Sequence, residues 1–164
     1  MLIAVMSDSH NNRDSLSKAI DIINKRGCGV LIHCGDYTSP SSVTEFKSFH
    51  GMVYGVFGNM DRGIWPVKHL ISEEVSNFSL FGMEGEVELE GKKIAFTHYP
   101  ETARNMAKSG KYHVVFYGHT HKHHTDRESY KTPLINPGDI QGRYGKSSFI
   151  FYDLSTGEVE KIDL

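Results

Sequence analysis

Seven side chains with metal-ligating chemistry fall in five short polar clusters: Asp8 with His10, Asp36, Asn59, His98, and His119 with His121. They are carboxylates, imidazoles and one amide, with no thiolate. That mixture suits a catalytic site for a first-row divalent metal better than a structural zinc site built of cysteines. Seven ligands are too many for one ion and right for two ions that share one. A carboxylate is the natural bridge, since its two oxygens can face different ions. Two-metal sites hold their ions about 3.5–4 Å apart and act on phosphate esters by clamping the attacking and leaving oxygens. A water between the ions would ionise near neutral pH and serve as the nucleophile.

Each cluster follows directly on an apolar run. Leu2 to Met6 is five apolar residues, which predicts a short strand buried on both faces, as in a parallel sheet. Ligands in open α/β sheets bind beyond the carboxyl ends of strands. Asp8 and His10, two residues apart, can point the same way there. A helix is expected from Asn12 to Lys25, with Leu16, Ala19, Ile20, Ile22 and Ile23 as its apolar face and Gly27 closing it. Val30 to Ile32 is a second buried strand, so the span reads as a right-handed parallel βαβ unit. That strand runs into His33-Cys34-Gly35-Asp36.

The rest repeats the theme. Pro40 to Phe49 reads as a helix, and Met52 to Val56 as a strand running into Gly58-Asn59-Met60-Asp61. Arg62 to Ile71 reads as irregular, broken by Gly63 and Pro66. Glu86 to Glu90 alternates with period two, Gly91-Lys92 reads as a turn, and Lys93 to Phe96 returns and ends in Thr97-His98. A helix is expected from Glu101 to Ser109, stopped by Gly110. Val114 to Tyr117 is a strand ending in Gly118-His119-Thr120-His121. Three more strands are expected: one near either Thr125–Ser129 or Leu134–Ile135, then Ser148–Asp153 and Val159–Ile162.

Singly, each cluster is weak: an Asp after a strand is more often a helix cap than a ligand. Five at strand ends are hard to dismiss. A chain of 164 residues with no repeat, linker or low-complexity tract reads as one domain, residues 1–164. A net charge of −2 leaves no footprint for nucleic acid or an anionic membrane. No apolar run approaches the ~20 residues of a membrane span. The Leu2–Met6 run is too short for a signal peptide. The expected location is therefore the cytoplasm, with Cys28 and Cys34 as reduced, half-buried thiols flanking the second strand.

Asp8-x-His10, Gly35-Asp36, Gly58-Asn59-x-Asp61, His98 and Gly118-His119-Thr120-His121 resemble the five ordered motifs of the calcineurin-like metallophosphoesterases. The short chain and Asn136-Pro137-Gly138 make it similar to the small YfcE-like phosphodiesterases. The resemblance implies an α/β four-layer sandwich of two mixed β-sheets flanked by helices. It implies two divalent ions, of manganese, nickel, iron or zinc, and a small phosphoester substrate. The first ion would be held by Asp8, His10, His121 and a bridging Asp36. The second would be held by Asp36, Asn59, His98 and His119. Asp36, Asn59 and His98 are the expected catalytic residues, and hydrolysis of a phosphodiester by a metal-bridging hydroxide is the expected reaction. The alternatives are a phosphomonoesterase or nucleotidase, and a scaffold module that keeps the fold without the chemistry.

Two departures from the family pattern stand out. The third motif carries Met60 where much of the superfamily has a histidine that helps the leaving group. Met60 cannot, so activated or diester substrates should fare best. The fourth motif reads Thr97-His98-Tyr99-Pro100, without its usual glycine and second histidine. Tyr99 either packs or stacks on a substrate base. Asp61 either hydrogen-bonds a ligand or is an exposed turn carboxylate. His33 is a candidate to pack beside the site. His50, His69, His113, His123 and His124 read as surface residues. Arg62 and Arg143 are the basic candidates for a phosphate grip, Asn11 or Asn12 is a helix cap, and Trp65-Pro66 is a candidate dimer contact.

Overall fold

The computed structural model describes residues 1–61 and 74–164. Its strands form two mixed sheets. The six-stranded sheet runs β11-β10-β1-β2-β3-β4, with β1 Leu2–Met6, β2 Val30–His33, β3 Met52–Gly55, β4 Phe78–Leu80, β10 Ser148–Asp153 and β11 Val159–Asp163. The five-stranded sheet runs β5-β6-β7-β9-β8, with β5 Glu84–Leu89, β6 Lys92–Thr97, β7 Val114–Tyr117, β8 His124–Asp126 and β9 Leu134–Asn136. Among the described residues, the main helices are α1 Arg13–Lys25, α2 Pro40–Thr44 and α3 Pro100–Ser109.

Alternation along the strands builds the layers. In β1, Ile3 and Val5 face inward and meet Phe96, Val114, Phe116 and Ile135 of the second sheet. Ala4 and Met6 face the other way, onto Leu16, Ala19, Ile20 and Ile23 of α1. Ala95, Val115 and Leu134 pack on Ala103 and Ala107 of α3. The result is helix, sheet, sheet, helix. Burying each large apolar side chain contributes about 1.5–3 kcal/mol, which holds the two sheets face to face.

Register aligns the strand ends. Met6 pairs with His33 and His33 with Gly55, so β1, β2 and β3 stop at one level. Thr97 pairs with Tyr117, so β6 and β7 do the same in the second sheet. The polar clusters thus emerge side by side.

Several elements differ from expectation. The helix at Pro40 becomes a 3₁₀ turn over Glu45–Ser48. The Thr44 hydroxyl donates to the Ser41 carbonyl and the Ser48 hydroxyl to Glu45, competing with the α-helical ladder. The hairpin turns at Glu90-Gly91, both at positive φ, not at Gly91-Lys92. The two alternative strand positions are both real, and β8 pairs antiparallel with β9. Strand β4 was hidden because three residues show no periodicity. Arg62, Trp65, Pro66 and His69 lie outside the described residues.

Candidate metal centre

All seven expected ligands converge. Five of them hold left-handed backbone conformations: Asp8 (φ 53°), His10 (40°), Asp36 (62°), His119 (72°) and His121 (58°). Such conformations are costly for residues other than glycine and collect at functional sites. Here they turn the chain sharply after each strand. The loops are then stitched together: Asp8 N–H donates to Gly35 O, His10 N–H to Asp36 O, and Gln141 N–H to Asp8 O. The packing leaves no room at two glycines. A Cβ on Gly58 would lie 2.1 Å from Asp36 Oδ1, and one on Gly118 would lie 2.0 Å from Ser7 Oγ.

The donor atoms form two linked groups. Asp8 Oδ1 lies 3.7 Å from His10 Nε2 and 3.5 Å from His121 Nε2. His98 Nε2 lies 3.0 Å from Asn59 Oδ1 and 3.1 Å from His119 Nδ1, and those two are 2.9 Å apart. Asp36 Oδ2 joins them, 3.5 Å from His10 Nε2 and 3.4 Å from His98 Nε2. Ligands bonded at ~2.1 Å to one ion stand about 3.0–3.4 Å from each other, so the spacing suits metal binding. One detail corrects the sequence reading. Asp36 does not turn its two oxygens to different sides, because Oδ1 accepts from Met60 N–H and only Oδ2 faces both groups.

The surroundings fix three of these side chains, Asp8, His98 and His121. Asp8 Oδ2 accepts from His119 N–H, leaving Oδ1 turned inward. His98 Nδ1–H donates to Cys34 O, which leaves Nε2 with its lone pair. His121 Nδ1–H donates to Asp139 Oδ2, with the same effect. Asp8 Oδ1 and His10 Nε2 are buried without any hydrogen-bond partner. An orphaned buried polar atom costs about 1–3 kcal/mol, and a divalent cation would satisfy both. Burial opposes ionisation of Asp8, but the facing imidazoles of His10, His98 and His121 outweigh it and bring the carboxyl below its ordinary value.

Asp61 is nearly buried and not an exposed turn residue. Its carboxylate accepts from the backbone N–H groups of Asp36, Thr38 and Gly58, tying the β2 and β3 loops together. His33 is fully buried; its Nδ1 accepts from Gly35 N–H, so its Nε2–H donates to Ser9 Oγ. Burial holds its pKa down at about 3, so the ring stays neutral. Asn12 caps α1, accepting from Ser15 N–H. Arg143 and Met60 line the cavity over the site, and Tyr99 sets its ring edge-on to His98. His50, His123 and His124 are exposed, whereas His113 is half-buried against Tyr152. Cys28 and Cys34 are free and buried.

Asp139 was missed. It lies three residues past β9, so the rule of polar residues beyond strand ends would have found it. The short apolar run of β9 hid it.

The model of the calcineurin-like phosphoesterase superfamily domain matches residues 1–157. The chain belongs to that superfamily. Calcineurin-like phosphoesterases work with divalent metals, and this member is a metal-dependent phosphoesterase. It is 33% identical over 144 residues to phosphodiesterase MJ0936 of Methanocaldococcus jannaschii, covering 87% of this chain and 86% of the relative. A solved structure described as a novel archaeal phosphodiesterase matches with a TM-score of 0.91 at 29% identity, over 100% of both chains. YfcE, a phosphoesterase from E. coli, shares the fold with a TM-score of 0.74 at 18% identity, over 99% of this chain and 98% of that one. Among the described residues no helix is long and apolar enough to cross a membrane.

Proposed function

We propose that this phosphoesterase hydrolyses phosphodiesters at a pair of divalent ions. The observation that carries the reading is Asp36 Oδ2, equidistant within 0.1 Å between His10 Nε2 at 3.5 Å and His98 Nε2 at 3.4 Å. One ion would be held by Asp8, His10, His121 and Asp36, the other by Asp36, Asn59, His98 and His119. Manganese, nickel, iron and zinc all suit this donor set. When bound, such a pair polarises a phosphoryl oxygen and lowers the pKa of a water at the site.

The chain supplies the rest. Asp36, Asn59 and His98 form the catalytic centre, with the His98 ring oriented by its Nδ1–H bond to Cys34 O so that Nε2 faces the site. Asp61 holds the loops of Asp36 and Asn59 together, and Asp139 holds His121. Met60 offers no proton to a leaving group, so substrates with acidic leaving groups should turn over fastest. The diester class rests on the named activity of the 33%-identical relative. Residues 1–164 are read as one such domain, and the free thiols of Cys28 and Cys34 suit the reducing cytoplasm.

The test is release of p-nitrophenol from bis-p-nitrophenyl phosphate with added manganese or nickel. The expected result is turnover that a chelator abolishes and that Asp36→Ala and His121→Ala each lose. Turnover indifferent to chelator, or retained in both variants, would overturn the reading.

A further inference from the structure

Among the described residues, two cavities adjoin the site. The first, about 610 Å³, is lined by His10, His121, Arg143 and Tyr144 among others. The second, about 550 Å³, is lined by Tyr99, Thr102, Arg104 and Asn105. His119 lines both. Each volume is within the range of a small-molecule pocket.

The two cavities are built alike. In the first, the Tyr144 ring stands edge-on to His121, centroids 6.3 Å apart at 85°. Arg143 Cζ lies over that ring at 5.8 Å, and Lys122 Nζ at 5.2 Å. In the second, the Tyr99 ring stands edge-on to His98, centroids 5.3 Å apart at 88°. Arg104 lines the same wall. Each cavity thus offers a tyrosine beside a site imidazole, with an arginine close by. Tyr144 is 65% exposed, a large aromatic surface left at the mouth of a polar site. It is held there because Arg143 N–H donates to Asp139 Oδ2, the same oxygen that accepts from His121.

We propose that the diester lies across His119, with one ester arm against Tyr144 and Arg143 and the other against Tyr99 and Arg104. The proposal rests on the diesterase reading and names its substrate class: diesters with two bulky arms, aryl or nucleoside, each flat enough to meet a tyrosine. A monoester has one arm and fills one cavity. Preference for diesters then comes from the two walls, independently of the leaving-group help that Met60 lacks.

Binding tests this apart from turnover. Calorimetry with diphenyl phosphate and phenyl phosphate, with and without zinc, is run on the full chain and on Tyr99→Ala and Tyr144→Ala. Each variant should weaken diphenyl phosphate about three- to tenfold, whereas phenyl phosphate should be sensitive to at most one of them. Amide shifts of the unsubstituted protein give a second reading: diphenyl phosphate should move both Thr102 and Gln141. Equal losses for both ligands in both variants, diphenyl phosphate binding that ignores either substitution, or amide shifts confined to one wall would overturn the proposal. Failure of the diesterase reading is distinct, since it appears as absent metal-dependent hydrolysis whatever the ligands bind.

Discussion

Among single residues, the candidate ligands Asp8, Asp36, His98 and His121 each have one atom tied down and one turned inward. His121 shows what the tie is for. Its Nδ1–H donates to Asp139 Oδ2 at 2.9 Å, which fixes the tautomer that leaves Nε2 beside Asp8. Removing such a partner typically costs 10–100-fold in metal affinity. Asp139→Ala should therefore weaken one ion in a zinc titration by roughly that factor, with the ion nearer His98 changing less. His33 gives a pH signature. Its folded pKa of about 3 lies below the ordinary 6.5, because burial disfavours the charged ring. The unfolded chain takes up that proton first as pH falls. The stability His33 contributes is thus present above pH 6.5 and lost progressively between 6.5 and about 3. The urea midpoint of the metal-free protein should drop through that window, with a slope from this group of at most about 1.4 kcal/mol per pH unit. His33→Gln should flatten the limb. The site residues were readable one by one because types and spacing carry the chemistry. Asp139 was not, because the three-residue run of β9 hides the strand end it follows, and its partner His121 lies 18 residues away.

At the scale of elements, placement comes from strand ends in register and sharp turns beyond them. Strands of four residues or more, β1, β2, β3, β5, β6, β7, β10 and β11, could be read from sequence. Helix α1 was equally plain, with its Asn12 cap and an apolar stripe at helical spacing. Strands β4, β8 and β9, three residues each, were missed or left as alternatives. A three-residue strand is defined by its neighbour's hydrogen bonds, which sequence does not display. The shortened α2 failed for a local reason, since serine and threonine hydroxyls capture the carbonyls a longer helix would use. The turn after β7 tests how tightly the elements meet. A Cβ on Gly118 would stand 2.0 Å from Ser7 Oγ and 2.8 Å from Asp8 Oδ2. Gly118→Ala should destabilise the fold by about 1–3 kcal/mol and displace Asp8. Thermal unfolding reads the first effect and loss of zinc affinity the second.

At the scale of the whole molecule, two sheets pack so that their carboxyl-end loops share one edge. The six-stranded sheet supplies Asp8, His10, Asp36 and Asn59, and the five-stranded sheet supplies His98, His119 and His121. The centre therefore spans the interface between the sheets. A metal bound there would link the two layers, and anything that binds the folded state alone stabilises it by mass action. The fold class was readable because the motifs occur in order, each behind its strand. How the two sheets face each other was not, because that depends on which side of each strand meets a partner distant in sequence.

If Asp36 serves two ions at once, as proposed, a count of bound metal will show it. Metal content would be measured on the dialysed, manganese- or zinc-loaded protein and on Asp36→Asn. The unsubstituted chain should hold two ions per chain, and the variant should lose at least one, together with bis-p-nitrophenyl phosphate turnover. A chain that saturates with one ion, or a variant that still holds two, would contradict the shared-carboxylate site.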